Sequence, residues 1–134
     1  MLYRQSLICV PIHFVWATHD RRPLITPELE PRLYRYIEDA CTQHRCQIIA
    51  FNMMPDHVHL LVNFTNTLSM ADFIKSVKAG SSNFINQVVD PANTFKWKPH
   101  YAAFGVNADD MSTLILYIKN QQKHHENGTS HPSY

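Results

Sequence analysis

The chain has 134 residues, and 45% of them are hydrophobic, which is enough for one domain with its own core. The 12 basic and 11 acidic residues leave a net charge of only +1, so any basic surface that binds nucleic acid must be local. Three cysteines without a CxxC pair predict reduced thiols rather than a disulfide framework. Without a secretory signal or an apolar run of membrane-spanning length, we expect one cytoplasmic domain over residues 1–134, with a loose tail at about 126–134.

The first predicted elements are a strand and a helix. Residues 7–18 alternate in hydrophobicity, which predicts a strand with Phe14 and Trp16 facing the core. The tripeptide TPE at 26–28 combines a capping hydroxyl, a proline and an acid, as is typical of the first turn of a helix. This helix should end near His44.

A hairpin and a second helix follow. Residues 46–54 and 57–64 predict two antiparallel strands joined by a short turn at the sequence MPD. The next helix is expected over residues 68–89, where Ser69 and Asp72 resemble a capping box.

The remaining elements complete a recognisable order. Gly80 lies in the middle of the second helix, where it could produce a kink or a break. Residues 90–100 predict a loop and residues 101–106 a short strand, before a last helix capped by Asp109 or Asp110 and running to about residue 125. The order β-α-β-β-α-β with an added C-terminal helix predicts an α+β fold with a ferredoxin-like, split βαβ antiparallel sheet.

The stretch PDHVHLLV contains two histidines inside an apolar run. Because side chains alternate across a strand, Val58 and Leu60 should face the helices, while His57 and His59 share the opposite face. Two imidazoles so placed are close enough to bind one metal ion. The pair alone is equally consistent with a metal site and with polar residues on a solvated strand face.

Tyr117 and Gln121 are the notable polar residues of the last predicted helix. Spaced four apart, they should lie on one helical face. A tyrosine hydroxyl is a potential nucleophile, and an amide oxygen is a potential metal ligand. Taken alone, such residues are more often a packing side chain and a surface amide.

Four segments occur in a fixed order: HFVWATHDRRPLI, PDHVHLLV, FIKSVKAGSS and YIKNQQKHH. Together they resemble the HUH endonuclease superfamily. Within it, the chain resembles the single-tyrosine transposases of the smallest bacterial and archaeal insertion sequences and their REP-associated relatives. The resemblance covers nearly the whole chain, and it is the combination of segments that is specific.

The resemblance implies a function and a set of site residues. Members of this family cut and rejoin single-stranded DNA beside a hairpin at the ends of the element, through a 5′-phosphotyrosine. Tyr117 would be the nucleophile, and His57, His59 and Gln121 would bind a divalent ion, Mg²⁺ or Mn²⁺. A homodimer with composite active sites is also implied, although the sequence does not decide whether Tyr117 acts in trans or in cis. Such a protein would associate with the nucleoid when it acts on DNA, and it would not engage a membrane.

Asp56 and His13 are candidates for supporting the metal site. Asp56 precedes the histidine motif, so its carboxylate could hydrogen-bond to a metal-binding histidine, or it could simply be a turn residue. His13 lies on the less apolar face of the first strand. It could approach the site or be an ordinary structural histidine.

Local basic clusters could contact DNA, although each is also typical of plain solvated surface. They lie in the first loop, on the second helix, and around a tryptophan that could stack on an unpaired base. The candidates are Arg21, Arg22, Lys75, Lys78, Ser82, Lys96, Trp97 and Lys98.

Three other functions remain open from the sequence. A replication initiator or relaxase would use the same chemistry to nick DNA, but the small size and the motif order disfavour a relaxase. A ferredoxin-like domain can also be a non-catalytic module that binds single-stranded nucleic acid, although no RNP-type aromatic pair is evident. A small-molecule metalloenzyme would be expected to carry HExxH or a third histidine at ligand spacing.

Overall fold

Strands and helices alternate along the chain in the predicted order. The computed structural model describes residues 10–64, 69–89 and 95–121. Its main elements are β1 (Val10–Ala17), α1 (Glu30–Gln43), β2 (Gln47–Met54), β3 (His57–Phe64), α2 (Met70–Phe84), β4 (Ala102–Gly105) and α3 (Met111–Lys119). This order confirms the α+β, ferredoxin-like fold, while the predicted tail at 126–134 lies outside the described residues. No helix in these ranges has the length and apolar content needed to cross a membrane.

The four strands form one antiparallel sheet in the order β2-β3-β1-β4. In the centre, Val15 of β1 lies opposite His59 of β3, and Ala17 lies opposite His57. On the other side of β3, Asn52 of β2 also lies opposite His59. Because β3 lies between β2 and β1, the histidine motif occupies the middle of the sheet rather than an edge. Directly opposed side chains share a face, so Val15, Asn52 and His59 lie on the same face.

One face of the sheet is covered by α1 and α2. The strands contribute fully buried side chains to this core, as predicted for Phe14, Trp16, Val58 and Leu60. The apolar stripes of the two helices that pack on them include Leu33, Ile37, Phe73 and Val77. Burial of each such side chain stabilises the fold by roughly 1.5–3 kcal/mol.

The opposite face of the sheet carries a smaller apolar cluster. Ile118 of α3 is fully buried there against Ala50 of β2 and Leu61 of β3. The last helix therefore lies on the same face as the histidine pair, because Leu61 follows His57 and His59 at alternate positions of β3.

The helix starts agree only partly with the prediction. The Ser69 hydroxyl accepts a hydrogen bond from the Asp72 N–H at 3.1 Å, which confirms that cap. The Thr26 hydroxyl likewise accepts from the Leu29 N–H at 3.3 Å. However, residues 27–29 form a turn, and α1 proper begins only at Glu30.

The expected kink at Gly80 is absent from the structure, and α2 continues through it to Phe84. A Cβ at position 80 would overlap the hydroxyl of Tyr36, whose ring stacks on Phe84 with centroids 5.0 Å apart. The glycine is thus explained by close packing between α1 and α2 rather than by a bend. The irregularity comes later, in a π-helical turn at Ile85–Val89.

Both ends of α3 differ from the prediction. Asp110 precedes the helix but makes no capping hydrogen bond through its side chain, since a 3₁₀ turn at Ala108–Asp110 leads into the helix instead. The helix ends at Lys119, because Asn120 adopts φ −101° and ψ 20°. The predicted continuous helix is therefore interrupted at Asn120, although Gln121 is again helical, and its predicted end near residue 125 lies outside the described residues.

Candidate active site

The two histidines of β3 form the centre of the candidate site. His57 is 2% exposed and His59 is 1% exposed, and their ring centroids are 5.0 Å apart with planes at 77°. The shared face predicted from strand alternation is confirmed. Buried imidazoles need polar partners, and the structure supplies one to each ring.

His57 is held by a carboxylate. Its Nδ1 lies 2.7 Å from Oδ1 of Asp56, and Arg21 Nε donates to the other oxygen, Oδ2, at 3.2 Å. Burial alone would raise the pKa of Asp56, but the hydrogen bond and charge of His57, together with Arg21, hold that pKa below its usual value. In the neutral ring, the Nδ1–H donated to an ionised Asp56 makes Nε2 the unprotonated nitrogen.

Arg21 lies in the first loop, as predicted, and contacts residues of the site. It was a candidate for contacting DNA from the first loop, but its guanidinium contacts Asp56 and lies 3.4 Å from His57 Nδ1. Asp20 and Arg21 both adopt φ 54°, a left-handed conformation that costs a non-glycine residue roughly 1–2 kcal/mol. Arg22 beside them is exposed.

His59 is held by a third histidine. Its Nδ1 lies 3.0 Å from Nε2 of His13, and the two rings are stacked with centroids 5.2 Å apart. His13 is 8% exposed, so this contact is shielded from water. The chain thus brings His13 and Asp56, the two residues considered for supporting roles, into direct contact with the histidine pair.

Tyr117 completes the group from α3. Its ring packs edge-on against the imidazole of His59, with centroids 5.8 Å apart and planes at 85°. The two residues lie nearly sixty positions apart in the sequence, and α3 brings them together by docking on the sheet. The candidate nucleophile therefore contacts one of the candidate metal ligands within a single chain.

Asn52 is a site residue that the sequence analysis missed. Its Nδ2 donates to the carbonyl oxygen of Ile118 at 3.0 Å and lies 3.4 Å from that of Lys119. The last carbonyls of a helix lack the usual intrahelical N–H partners, and the backbone N–H of Asn120 is directed to those of Leu116 and Ile118, so Asn52 adds a side-chain hydrogen bond to this end of α3. Because Asn52 also lies opposite His59, it connects the tyrosine helix to the histidine strand.

Gln121 follows directly after this capped helix end. The residue is fully buried, and neither atom of its side-chain amide has a hydrogen-bond partner among the described residues. Within those residues, no three His, Cys, Asp or Glu side chains are grouped so as to hold a metal ion. Among the described residues, a third protein ligand beside His57 and His59 would therefore be of another type, such as this amide.

A cleft of about 590 Å³ opens beside the site, between β4 and α3. His59 and Tyr117 form part of its wall. The remaining lining includes His13, Val15, Phe104, Gly105, Val106, Asn107, Asp110, Thr113 and Leu114. His59 and Tyr117 thus both line the cleft, while the hydroxyl oxygen of Tyr117 is itself buried.

A second cleft, of about 330 Å³, collects most of the predicted DNA-binding residues. Its lining includes Lys75, Lys78, Ser82, Lys96, Trp97 and Lys98, together with Tyr101. Lys78 Nζ donates to the carbonyl oxygens of Lys98 and His100 at 2.6 and 3.1 Å. Burial lowers the pKa of Lys78 to about 8.

Trp97 is a core residue rather than a stacking platform. It is 6% exposed, and its ring packs against Phe95 and Trp16 with centroids 4.7 and 5.9 Å away. Its Nε1 donates to the Ser81 hydroxyl at 2.9 Å. The prediction that Trp97 stacks on a base is therefore wrong for this arrangement, whereas Tyr101 in the same cleft is 39% exposed.

Comparison with known proteins shows the family of the chain. Residues 7–121 match the family described as IS200-like transposases. The ISDra2 transposase TnpA of Deinococcus radiodurans is 28% identical over 115 residues, which cover 81% of each chain. A crystal structure of a candidate transposase from Deinococcus radiodurans R1 superimposes with a TM-score of 0.71 at 27% identity, covering 90% of this chain and 97% of the other.

A second solved structure shares the fold. It is a REP-associated tyrosine transposase bound to a REP hairpin, with a TM-score of 0.68 at 16% identity over 97% of this chain and 76% of the other. The family match spans most of the sequence and includes every residue of the site described above. The chain belongs to the IS200-like transposase family and is a tyrosine transposase that acts in DNA transposition.

Proposed function

We propose that this transposase cleaves and rejoins single-stranded DNA at the ends of an insertion sequence, through a covalent 5′-phosphotyrosine and with the help of a divalent metal ion. The observation that carries the proposal is the contact of Tyr117 with His59, on the same sheet face as His57. A nucleophile and two metal-binding groups so arranged suit phosphoryl transfer, which depends on positioning and charge stabilisation.

The covalent step requires one bond to form and one to break. The Tyr117 oxygen attacks the scissile phosphorus, losing its proton, and the bond from phosphorus to the 3′-oxygen breaks. The products are a 5′-phosphotyrosine on one strand and a free 3′-OH on the other. A 3′-OH that later attacks the phosphotyrosine restores the tyrosine and joins the strands, so no nucleotide cofactor is needed.

The residues present fit a divalent ion. His57 and His59 are buried side by side, and Gln121 offers an amide that has no hydrogen-bond partner in the described ranges, the kind of buried polar group that calls for a ligand. Two imidazoles and an amide oxygen suit Mn²⁺ or Mg²⁺. When bound there, such an ion would polarise the phosphate and stabilise the leaving oxygen.

The partners of the histidines prepare them for this role. Asp56 accepts the Nδ1–H of His57, and His13 can accept the Nδ1–H of His59 through its Nε2. In both neutral rings Nε2 would then be the unprotonated nitrogen. Hydrogen bonds of this kind fix the tautomer and orientation of a metal-binding imidazole.

The DNA partner follows from the family and from the lysine cleft. A REP-associated relative is bound to a hairpin, and we propose that this chain also binds hairpin-bearing single-stranded DNA. Lys75, Lys78, Lys96 and Lys98 around the smaller cleft would contact its phosphates. This local footprint is compatible with a net charge of only +1.

A homodimer is part of the proposal. The contact of Tyr117 with His59 of the same chain supports a site assembled in cis. A composite site, which the resemblance also allows, would require α3 to leave this position and dock on the partner.

Action in the cytoplasm, at the nucleoid, follows from the proposed DNA substrate.

Metal dependence can be tested with single-stranded DNA that carries the hairpin found at an end of the element. The wild-type protein should form a covalent adduct with Mn²⁺ or Mg²⁺ and none with EDTA, and the variants His57→Ala and His59→Ala should lose the adduct. His44→Ala is a matched control, because His44 contacts Ser76 on the other side of the sheet. Adduct formation that survives EDTA and both variants would contradict the metal site, and binding without cleavage under every condition would favour a non-catalytic binding module.

A further inference from the structure

The cleft between β4 and α3 has two chemically different ends. His59 and Tyr117 lie at one end, where the proposed function puts the scissile phosphate. Asn107, Asp110 and Thr113 lie at the other, on the segment that leads into α3 and on its first turn. A ligand that spans the cleft must therefore combine a phosphate with a group that suits amide, carboxylate and hydroxyl side chains.

Between the two ends, the wall of the cleft is largely apolar. Phe104 of β4 is 43% exposed, with its ring centroid 6.1 Å from that of His13. An aromatic side chain that is partly exposed to solvent beside a phosphate site suits a nucleobase, since every base can stack on an aromatic ring. The volume of about 590 Å³ is within the range of pockets that hold a small ligand.

The negative charge of Asp110 determines which way a nucleotide would lie in the cleft. A carboxylate repels phosphate, so the phosphate belongs at the His59 end and the base at the Asp110 end. A carboxylate accepts hydrogen bonds, as it does from the exocyclic amino group of cytosine. Thymine has no such amino group and presents carbonyl acceptors instead.

We propose that this cleft binds one unpaired nucleotide adjoining the scissile phosphate, with its base on Phe104, and that Asp110 favours a base with an exocyclic amino group. The inference rests on the proposed function, because Tyr117 and His59 define the phosphate end. It adds a nucleotide site that is distinct from the lysine cleft. That second cleft offers ammonium groups and suits the DNA backbone rather than one selected base.

The test uses the full chain and element-end DNA in which a single nucleotide next to the mapped cleavage position is abasic. One of the two flanking abasic substitutions should slow adduct formation by wild-type protein at least tenfold. Phe104→Ala should be similarly slow on intact DNA and should lose little more on the abasic DNA, since base and ring act together. Phe104→Leu, which keeps an apolar side chain at this position, should behave like Phe104→Ala, and Leu116→Ala on the exposed side of α3 should match wild type.

The selectivity of Asp110 is tested in the same assay. Replacing the base at the sensitive position by thymine should slow the wild-type protein, and Asp110→Asn should reduce the difference between cytosine and thymine. Equal rates on both abasic substrates, or a Phe104→Ala defect that remains as large on abasic as on intact DNA, would overturn the proposal. If the molecular mass in solution showed that Phe104→Ala disrupts a dimer, the cleft would instead be assigned to a second copy of the chain. That result would also overturn the proposal. Failure of the proposed function is separate, because it would appear as no adduct on any substrate.

Discussion

Lys78 carries its charge in an unusual setting. The side chain is half-buried beneath the segment that leads to β4, where its Nζ donates to two backbone carbonyls. Burial disfavours the ammonium form and lowers the pKa to about 8. The charge of the proposed DNA cleft therefore changes close to neutral pH, which the net charge of the sequence does not reveal.

Binding of single-stranded DNA should weaken as the pH rises from 7 to 9. Lys78 loses its proton through about pH 8, and the loss of one phosphate contact should reduce affinity by up to roughly tenfold at low salt. Titration of hairpin DNA by fluorescence anisotropy at several pH values measures this. Lys78→Arg should stay charged and abolish the pH dependence, whereas Lys78→Met should bind weakly at every pH.

Folding stability should change in the opposite direction. Between about pH 8 and the ordinary lysine value of 10.5, the unfolded chain binds more protons than the folded one, so the contribution of Lys78 makes the free energy of unfolding rise with pH. An affinity that falls together with stability would therefore indicate general unfolding rather than loss of this charge. A wild-type affinity that does not change from pH 7 to 9 would contradict the role of Lys78.

At the level of elements, the position of α3 decides whether a site exists. The helix buries Ile118 against Ala50 and Leu61, and Asn52 caps its C-terminal carbonyls. Tyr117 precedes the capped residues Ile118 and Lys119, and Gln121 follows them. Asn52 therefore acts as a positioning residue for both the nucleophile and the candidate amide ligand.

Asn52→Asp should slow adduct formation by about 10- to 100-fold, since small misplacements of a nucleophile have effects of that size. The aspartate keeps an oxygen for the Met53 N–H but removes the donor and places a charge near two carbonyls. Affinity for hairpin DNA should be unchanged, and unfolding should become easier by only about 1 kcal/mol. Single-turnover adduct assays and thermal unfolding measure the two effects.

Asn63→Ala is the matched control for this prediction. Asn63 lies on the same face of β3 as His59. Its side chain accepts one hydrogen bond from the Val10 N–H at 3.0 Å, but within the described ranges it makes no hydrogen bond to the end of α3. It should cleave at the wild-type rate. Equal losses of rate in both variants would mean that Asn52 acts only through general stability.

The hydrophobic periodicity of the sequence predicted the strands and helices better than the contacts between them. The period of two along β3 was sufficient to place His57 and His59 on one face and Val58 beneath the helices. The contact of His13 with His59 depends on the register between β1 and β3, which no local pattern contains. The cap supplied by Asn52 is equally non-local, and the sequence around Asn120 continues a helical pattern through the observed end of α3.

For the whole molecule, the two faces of the sheet have separate roles. One face and its two helices form the main core, and the edge of that layer carries the lysine cleft. The other face holds the three histidines, α3 and the cleft beside Phe104. This division lets a chain of 134 residues combine a stable core with a site that reaches the DNA.

The central claim is that Tyr117 is the nucleophile of this site. It is tested most directly by incubating wild-type protein and Tyr117→Phe with hairpin-bearing single-stranded DNA and Mn²⁺, and then mapping any covalent adduct by mass spectrometry. We predict an adduct only with the wild-type protein, on the peptide that contains Tyr117, while both proteins bind the DNA equally well. An adduct that persists in Tyr117→Phe, or one that maps to another residue, would contradict the account.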